Sequence, residues 1–183
     1  MNSKHKILLW SFILSPFLIL FSLIQLTVFG FFGDLPTFNQ LENPKNNLAT
    51  EIISEDSVVL GKYFFENRSR AIYKELPENL IQALISTEDI RFKEHSGVDI
   101  RAVLRAVFGA ITGKSGSGGA STLTQQLAKM LFTEQPSSGV ERIMQKLKEW
   151  VIAAQLEKRY TKNEILTMYL NRFDWVNNAV GIK

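Results

Sequence analysis

The apolar positions of this chain fall into two regimes. From Ile7 to Phe32 they are nearly continuous, and the stretch ILLWSFILSPFLILFSLIQLTVFGFF carries no charged residue. A run of this length exceeds the roughly 20 residues that a helix needs to cross a bilayer, and Pro16 is tolerated inside such a helix as a kink. Lys4 and Lys6 precede the run and Asp34 follows it. The positive-inside rule then predicts a cytoplasmic N-terminus and a single pass, with the rest of the chain on the outer face of the cytoplasmic (inner) membrane. A cleaved signal peptide fits less well, because the run is long and no small-x-small site closes it.

Beyond the span the pattern becomes periodic. Gly33–Thr50 is polar and proline-bearing, which predicts a linker. In EIISEDSVVLGKYFFENRS, β-branched runs flank Glu55-Asp56-Ser57, which predicts a short hairpin. From Pro77 onward the spacing is helical. Pro77 suits the first turn of a helix running from Glu78 to about Glu88. Ile100, Val103, Leu104, Val107, Phe108 and Ile111 mark a second helix. Thr122-x-x-Gln125 reads as a capping box opening a third helix, Leu123 to Phe132. A fourth runs from about Val140 to Arg159, with Ile143, Leu147, Trp150, Val151 and Ala154 on one face. Thr161-x-x-Glu164 opens a fifth, through Leu170. The predicted organisation is an anchor over 1–33, a linker over 34–50 and a mainly α domain over 51–183.

Composition narrows the chemistry. Among 183 residues, Lys+Arg 21 against Asp+Glu 18 leaves a net charge of +3, too mild for a dedicated nucleic-acid binder. There are no cysteines, so thiol catalysis is excluded. His5 and His95 are the only histidines, too few for a histidine-rich metal site.

The segment GKSGSGGASTLTQQ, residues 113–126, raises the question of a nucleotide. A phosphate-binding G-x-x-x-x-G-K-[ST] loop ending at Gly113-Lys114-Ser115 requires glycine at position 108, where this chain has Phe108. The residues before it are helical rather than strand-like. No nucleotide is therefore expected, and Lys114–Ala120 reads as a mobile loop beside a cleft. The helix N-terminus at Ser121-Thr122 offers N–H groups to a phosphate, or is simply capped by the two hydroxyls.

Two carboxylates stand out. Glu88 follows Ile81, Leu84 and Ile85 at helical spacing. It is either an exposed helix-end charge, which spacing favours, or a partly desolvated acid suited to proton transfer. Asp89 and His95 are placed to hydrogen-bond in the turn after it. On the fourth helix Arg142, Lys146 and Glu149 share a face, which is either surface ion pairing or a cationic strip for a phosphate-bearing substrate.

Four segments, taken in order, carry a resemblance: EDIRFKEHSG (Glu88–Gly97), GASTLTQQLAK (Gly119–Lys129), QKLKE (Gln145–Glu149) and KNEILTMYLN (Lys162–Asn171). They resemble the ordered motifs of the peptidoglycan glycosyltransferase family, found in class A penicillin-binding proteins and monofunctional transglycosylases. The resemblance implies a mainly α, lysozyme-like domain and polymerisation of lipid II onto a lipid-linked glycan strand, with release of polyprenyl pyrophosphate. It implies that Glu88 is the general base and that Glu149 supports the donor and pyrophosphate region. It implies that Lys146 contacts the pyrophosphate, that Ser121, Thr122, Thr124, Gln125, Gln126 and Lys129 belong to the cleft, and that Asp89, Phe92, His95 and Gly97 shape the site. An inverting displacement needs a base at the acceptor and positive charge at the leaving group. No cofactor is required, a divalent cation (Mg or Mn) is permitted, and other cell-wall synthesis and division proteins are expected partners.

The chain also departs from the family pattern. Lys129-Met130 replaces Lys-Asn, and Gln145-Lys146 replaces Arg-Lys. The latter either weakens the donor site or leaves Arg142, one turn earlier, to compensate. Trp175-Val176-Asn177-Asn178 stands where glycines are usual, and the sequence stops at Lys183, shortly after Gly181. The expectation is a C-terminally incomplete domain from a bifunctional protein. Two rival readings stand beside the synthase: a lysozyme-like lytic enzyme using Glu88 as an acid, and an inactive, membrane-tethered binding or scaffold fragment.

Overall fold

In the computed structural model, residues 3–37, 40–41, 50–63, 71–113, 119–133 and 136–173 are described. Residues 114–118 of the predicted Lys114–Ala120 loop and the Trp175–Gly181 segment lie outside them. Helix α1 spans Ser3–Val28 and the hairpin pairs β1 (Thr50–Ile53) with β2 (Val59–Tyr63). After a short 3-10 turn at Tyr73–Glu75 come α2 (Glu78–Glu88), α3 (Ile100–Thr112), α4 (Leu123–Phe132), α5 (Gly139–Arg159) and α6 (Lys162–Arg172).

Helix α1 contains a 25-residue stretch, Lys4–Val28, long and apolar enough to cross a membrane. Its few hydroxyls turn inward: Ser11, Ser15, Ser22 and Thr27 each donate to a carbonyl three or four residues earlier. Such bonds satisfy polar groups where water is absent. The C-terminal end of α1 packs on α5, and Thr27 there is fully buried. The predicted linker is more than a spacer, because Leu41 is buried in the core and its carbonyl accepts the Tyr160 hydroxyl.

The hairpin forms where the β-branched runs predicted it. Its strands are antiparallel, with a register irregularity between Ile52 and Ile53. Ser57 takes positive φ in the turn, and the Ser54 hydroxyl bridges the turn to Val58 and Asp56.

Four helices begin on a side-chain cap: Asp99, Thr122, Ser138 and Thr161 accept the amides of Ala102, Gln125, Glu141 and Glu164. Thr161 and Glu164 complete the predicted capping box. The other predicted box is only half made. Thr122 caps α4, but Gln125 turns away to the carbonyl of Gly97. Pro77 is the N-cap of α2 rather than its first-turn residue.

The core lies among α4, α5 and α6. Leu123, Leu127 and Ala128 meet Ile152 and Leu156, and both meet Ile165, Leu166, Tyr169 and Leu170, with Phe92 and Ile81 closing one side. Asn171 ties the start of the domain to this core, because its amide donates to the Ala71 carbonyl at 2.8 Å and its oxygen accepts the Ala71 amide at 2.9 Å. The buried face of α5 is set by Leu147, Val151, Ile152 and Leu156, whereas Ile143 is 63% exposed. The stripe on α3 makes a helix but not a core: Leu104, Val107, Phe108 and Ile111 are all exposed. Gly113, in the left-handed conformation, ends α3. It is a helix stop and not part of a nucleotide cradle.

Gly97 is packed tightly against backbone. Its φ is +93°, and a Cβ there would lie 2.8 Å from the Ala153 backbone of α5. Gly97→Ala is expected to cost about 1–3 kcal/mol, from positive-φ strain together with the displaced contact. Thermal unfolding in detergent micelles, followed by helical circular dichroism, measures it.

Candidate active site

The site is assembled on the loop that follows α2. The Asp89 carboxylate accepts the backbone amide of Leu123, the first residue of α4, at 3.0 Å, and meets His95 Nε2 at 3.0 and 3.1 Å. A carboxylate at a helix N-terminus satisfies an otherwise orphan N–H and complements the helix dipole. At the other end of the loop, the Gly97 carbonyl accepts the Thr122 hydroxyl at 2.6 Å and the Gln125 amide at 3.2 Å. The 89–97 loop is thus fastened to the start of α4 at both ends.

A second polar cluster holds the loop from behind. Lys162 Nζ donates to the His95 carbonyl and to Glu157, both at 2.7 Å, and lies 4.3 Å from the Phe92 ring centroid. Thr124 donates to the same Glu157 oxygen at 2.6 Å. Charge-assisted bonds of this kind are shorter and stronger than neutral ones.

In front of the loop is a cleft of about 1270 Å³. Two helical faces line it. Gln126, Lys129, Met130 and Thr133 recur at i, i+3, i+4 and i+7 along and just beyond α4; Gly139, Arg142, Lys146 and Glu149 follow at i, i+3, i+7 and i+10 along α5. Lys146 Nζ bridges Ser121 Oγ at 2.8 Å and Glu149 Oε2 at 2.9 Å. Lys129, Arg142 and Lys146 outnumber the one carboxylate, Glu149, so the lining is net cationic and suits a polyanionic group. Glu88 is exposed beside this cleft, and its Oε2 accepts the Gln126 amide at 2.9 Å. Among the described residues, no cluster of three or more His, Cys, Asp or Glu side chains is placed to hold a metal.

The predicted site residues therefore divide by position. Ser121, Gln126, Lys129, Lys146 and Glu149 line the cleft, and Glu88 joins it through Gln126. Phe92, Thr122, Thr124 and Gln125 are buried behind the wall, with Asp89 and His95 beside them. Their observed contacts are with the protein. Glu157, Lys162 and Tyr169 were missed as site residues. Their partners lie tens of residues away or on another helix, so local spacing carries no signal for them.

The fold and site define a helical domain, preceded by a helix long and apolar enough to cross a membrane, whose cationic cleft has a hydrogen-bonded glutamate at its edge. The family model for transglycosylases matches residues 56–183, more than half of the chain. The chain is 37% identical over 174 residues to penicillin-binding protein 1A of Vibrio cholerae serotype O1, covering 90% of this chain and 21% of that protein. It is 35% identical to penicillin-binding protein 1A of Escherichia coli K12, covering 81% of this chain and 17% of the relative. To penicillin-binding protein 1F of Bacillus subtilis it is 35% identical, covering 74% and 18%. The chain belongs to the transglycosylase family, whose domain is lysozyme-like, and it spans about a fifth of the length of these relatives.

Asp99 closes the far end of the loop by capping α3 and binding Arg91 at 2.6 Å. Burial opposes its ionisation, but the Ala102 amide and the Arg91 guanidinium outweigh this and hold the carboxyl below its ordinary value of 3.8. A carboxyl lowered in the folded state releases protons on folding. Its stabilisation is therefore complete above the ordinary value and is lost as pH falls through the folded one. Asp99→Asn is expected to flatten the decline of the unfolding midpoint below about pH 4, read from melting curves at pH 3 to 6.

Proposed function

We propose that this chain carries the glycosyltransferase centre of a membrane-anchored peptidoglycan polymerase. The observation that carries this reading is the placement of Glu88, held by Gln126, at the edge of a cleft whose other charges are mostly cationic. In this reading the donor is a growing glycan strand joined to a polyprenyl lipid through pyrophosphate, and the acceptor is lipid II. Glu88 takes the proton of the acceptor 4-hydroxyl, the oxygen bonds to the donor anomeric carbon, and the bond from that carbon to the pyrophosphate breaks. The product is a β-1,4 linkage with inversion.

The leaving group gathers negative charge as that bond breaks. Lys146, with Arg142 and Lys129, stabilises it in the cleft, and Glu149 holds the Lys146 ammonium in place. Preorganised charge of this kind does most where developing charge is greatest. A divalent cation is an optional supplement to these side chains. Phe92, Thr122, Thr124 and Gln125 act from behind the wall, setting the loop that follows Glu88.

A membrane position fits a lipid-borne substrate. Helix α1 packs directly on α5, which lines the cleft, so the anchor holds the cleft near the bilayer. The exposed apolar face of α3, with Arg101 and Arg105 on the same helix, is suited to lie in the interface. Lys4 and Lys6 before the span support an N-terminus inside and the domain outside.

Polymerisation of labelled lipid II in detergent tests the reading. Glu88→Gln is expected to reduce turnover by about 10²–10⁴-fold, the usual contribution of a general base, with the melting temperature unchanged. Retained turnover would refute the base assignment, and shortened glycan in place of polymer would favour a lytic enzyme. Lys146→Met is expected to lower kcat/KM by on the order of 10²–10³-fold, as for loss of one charge-stabilising donor.

A further inference from the structure

We propose that Tyr169 is a positioning residue for Glu88, acting through Gln126. The inference rests on the reading of Glu88 as the base. Tyr169 lies on α6 at 1% exposure, its ring 5.3 Å from Phe173. Its hydroxyl donates to Gln126 Oε1 at 2.9 Å, and Gln126 Nε2 donates to Glu88 Oε2 at 2.9 Å. A buried ring, an amide on the cleft wall and an exposed carboxylate thus form one line.

The direction of that line follows from donor and acceptor inventories. An ionised carboxylate only accepts, so the Gln126 NH2 must face Glu88. The amide oxygen then faces Tyr169, whose hydroxyl must donate. Burial, and secondarily the charge of Glu88, push the Tyr169 phenol up to about 12, so its proton is present throughout the physiological range. Each bond polarises the next in the same sense.

The mechanical consequence falls on Glu88. As an exposed side chain at a helix end, it has rotamer freedom that a productive base must give up. Gln126 restricts it, and Tyr169 prevents the amide from turning over. The ring of Tyr169 is held in the core between α4 and α6, so the acid at the cleft edge takes its bearing from the packed core of the domain.

The full-length protein tests this with Tyr169→Phe, Gln126→Ala, the double variant and Glu88→Gln. Tyr169→Phe keeps the ring and its packing, so the melting temperature is expected to stay near that of the parent. KM for lipid II is expected to be unchanged while kcat falls by about 10–100-fold, the scale of a misplaced reacting group. The double variant is expected to be no slower than Gln126→Ala alone, because Tyr169 acts only through that amide. Full kcat in Tyr169→Phe, or losses that multiply in the double variant, would overturn the relay. Turnover in Glu88→Gln sinks the base reading instead, whereas an inactive Glu88→Gln beside a fully active Tyr169→Phe sinks only the relay. A readout independent of turnover is the phenol ionisation of Tyr169, followed by NMR of 13C-labelled tyrosine. Glu88→Gln is expected to bring it down from about 12, and an unmoved midpoint contradicts the link.

Discussion

The bond from the Leu123 amide to the Asp89 carboxylate is the contact on which the site depends. It joins the residue after Glu88 to the first residue of α4, three places before Gln126. The α4 N-terminus has orphan N–H groups and a positive dipole end, and Asp89 supplies what both require. With Gly97 gripped at the other end of the loop by Thr122 and Gln125, Glu88 and Gln126 are set at a fixed separation. Gly97 must be glycine for this to work, because its φ is positive and a Cβ there would meet the Ala153 backbone.

Behind the loop, the domain buries charge. Glu157 and Lys162 are largely withdrawn from water, which is costly unless the remaining donors and acceptors are satisfied. Thr124 and the His95 carbonyl provide that satisfaction. The return is specificity of geometry: α4, α5, α6 and the loop share one polar junction that no single-residue shift can reproduce. In front of the loop the balance is reversed. Lys129, Arg142 and Lys146 face the open cleft; Glu149 pairs with Lys146, and the net positive charge that remains is available to an anion. One wall therefore carries compensated charge on one side and a net positive charge on the other.

Much of this was legible in the sequence. The apolar span, the hairpin, the five domain helices and the Thr161 cap follow from periodicity and from residues whose chemistry is local. The ordered motifs pointed to the right family. What failed was the facing of individual residues. Gln125 was read as the partner of Thr122 in a capping box, but a carbonyl 28 residues earlier claimed it. Ile143 shares a predicted face of α5 with Leu147 and Val151 but is exposed. The apolar stripe of α3 is regular, yet no core covers it.

The sequence by itself determined where helices start and stop, that one segment is long and apolar enough to cross a membrane, and that Gln126 and Lys129 share one helical face while Arg142, Lys146 and Glu149 share another. These are properties of a 3.6-residue period and of short-range caps. Only the tertiary structure decided which faces look into the cleft. Thr124 and Gln125 stand beside Gln126 in the same motif, but they point into the core and bond to Glu157 and Gly97. The line from Tyr169 to Glu88 spans three helices. Such contacts join positions tens of residues apart, and spacing along a chain carries no record of them until the helices pack.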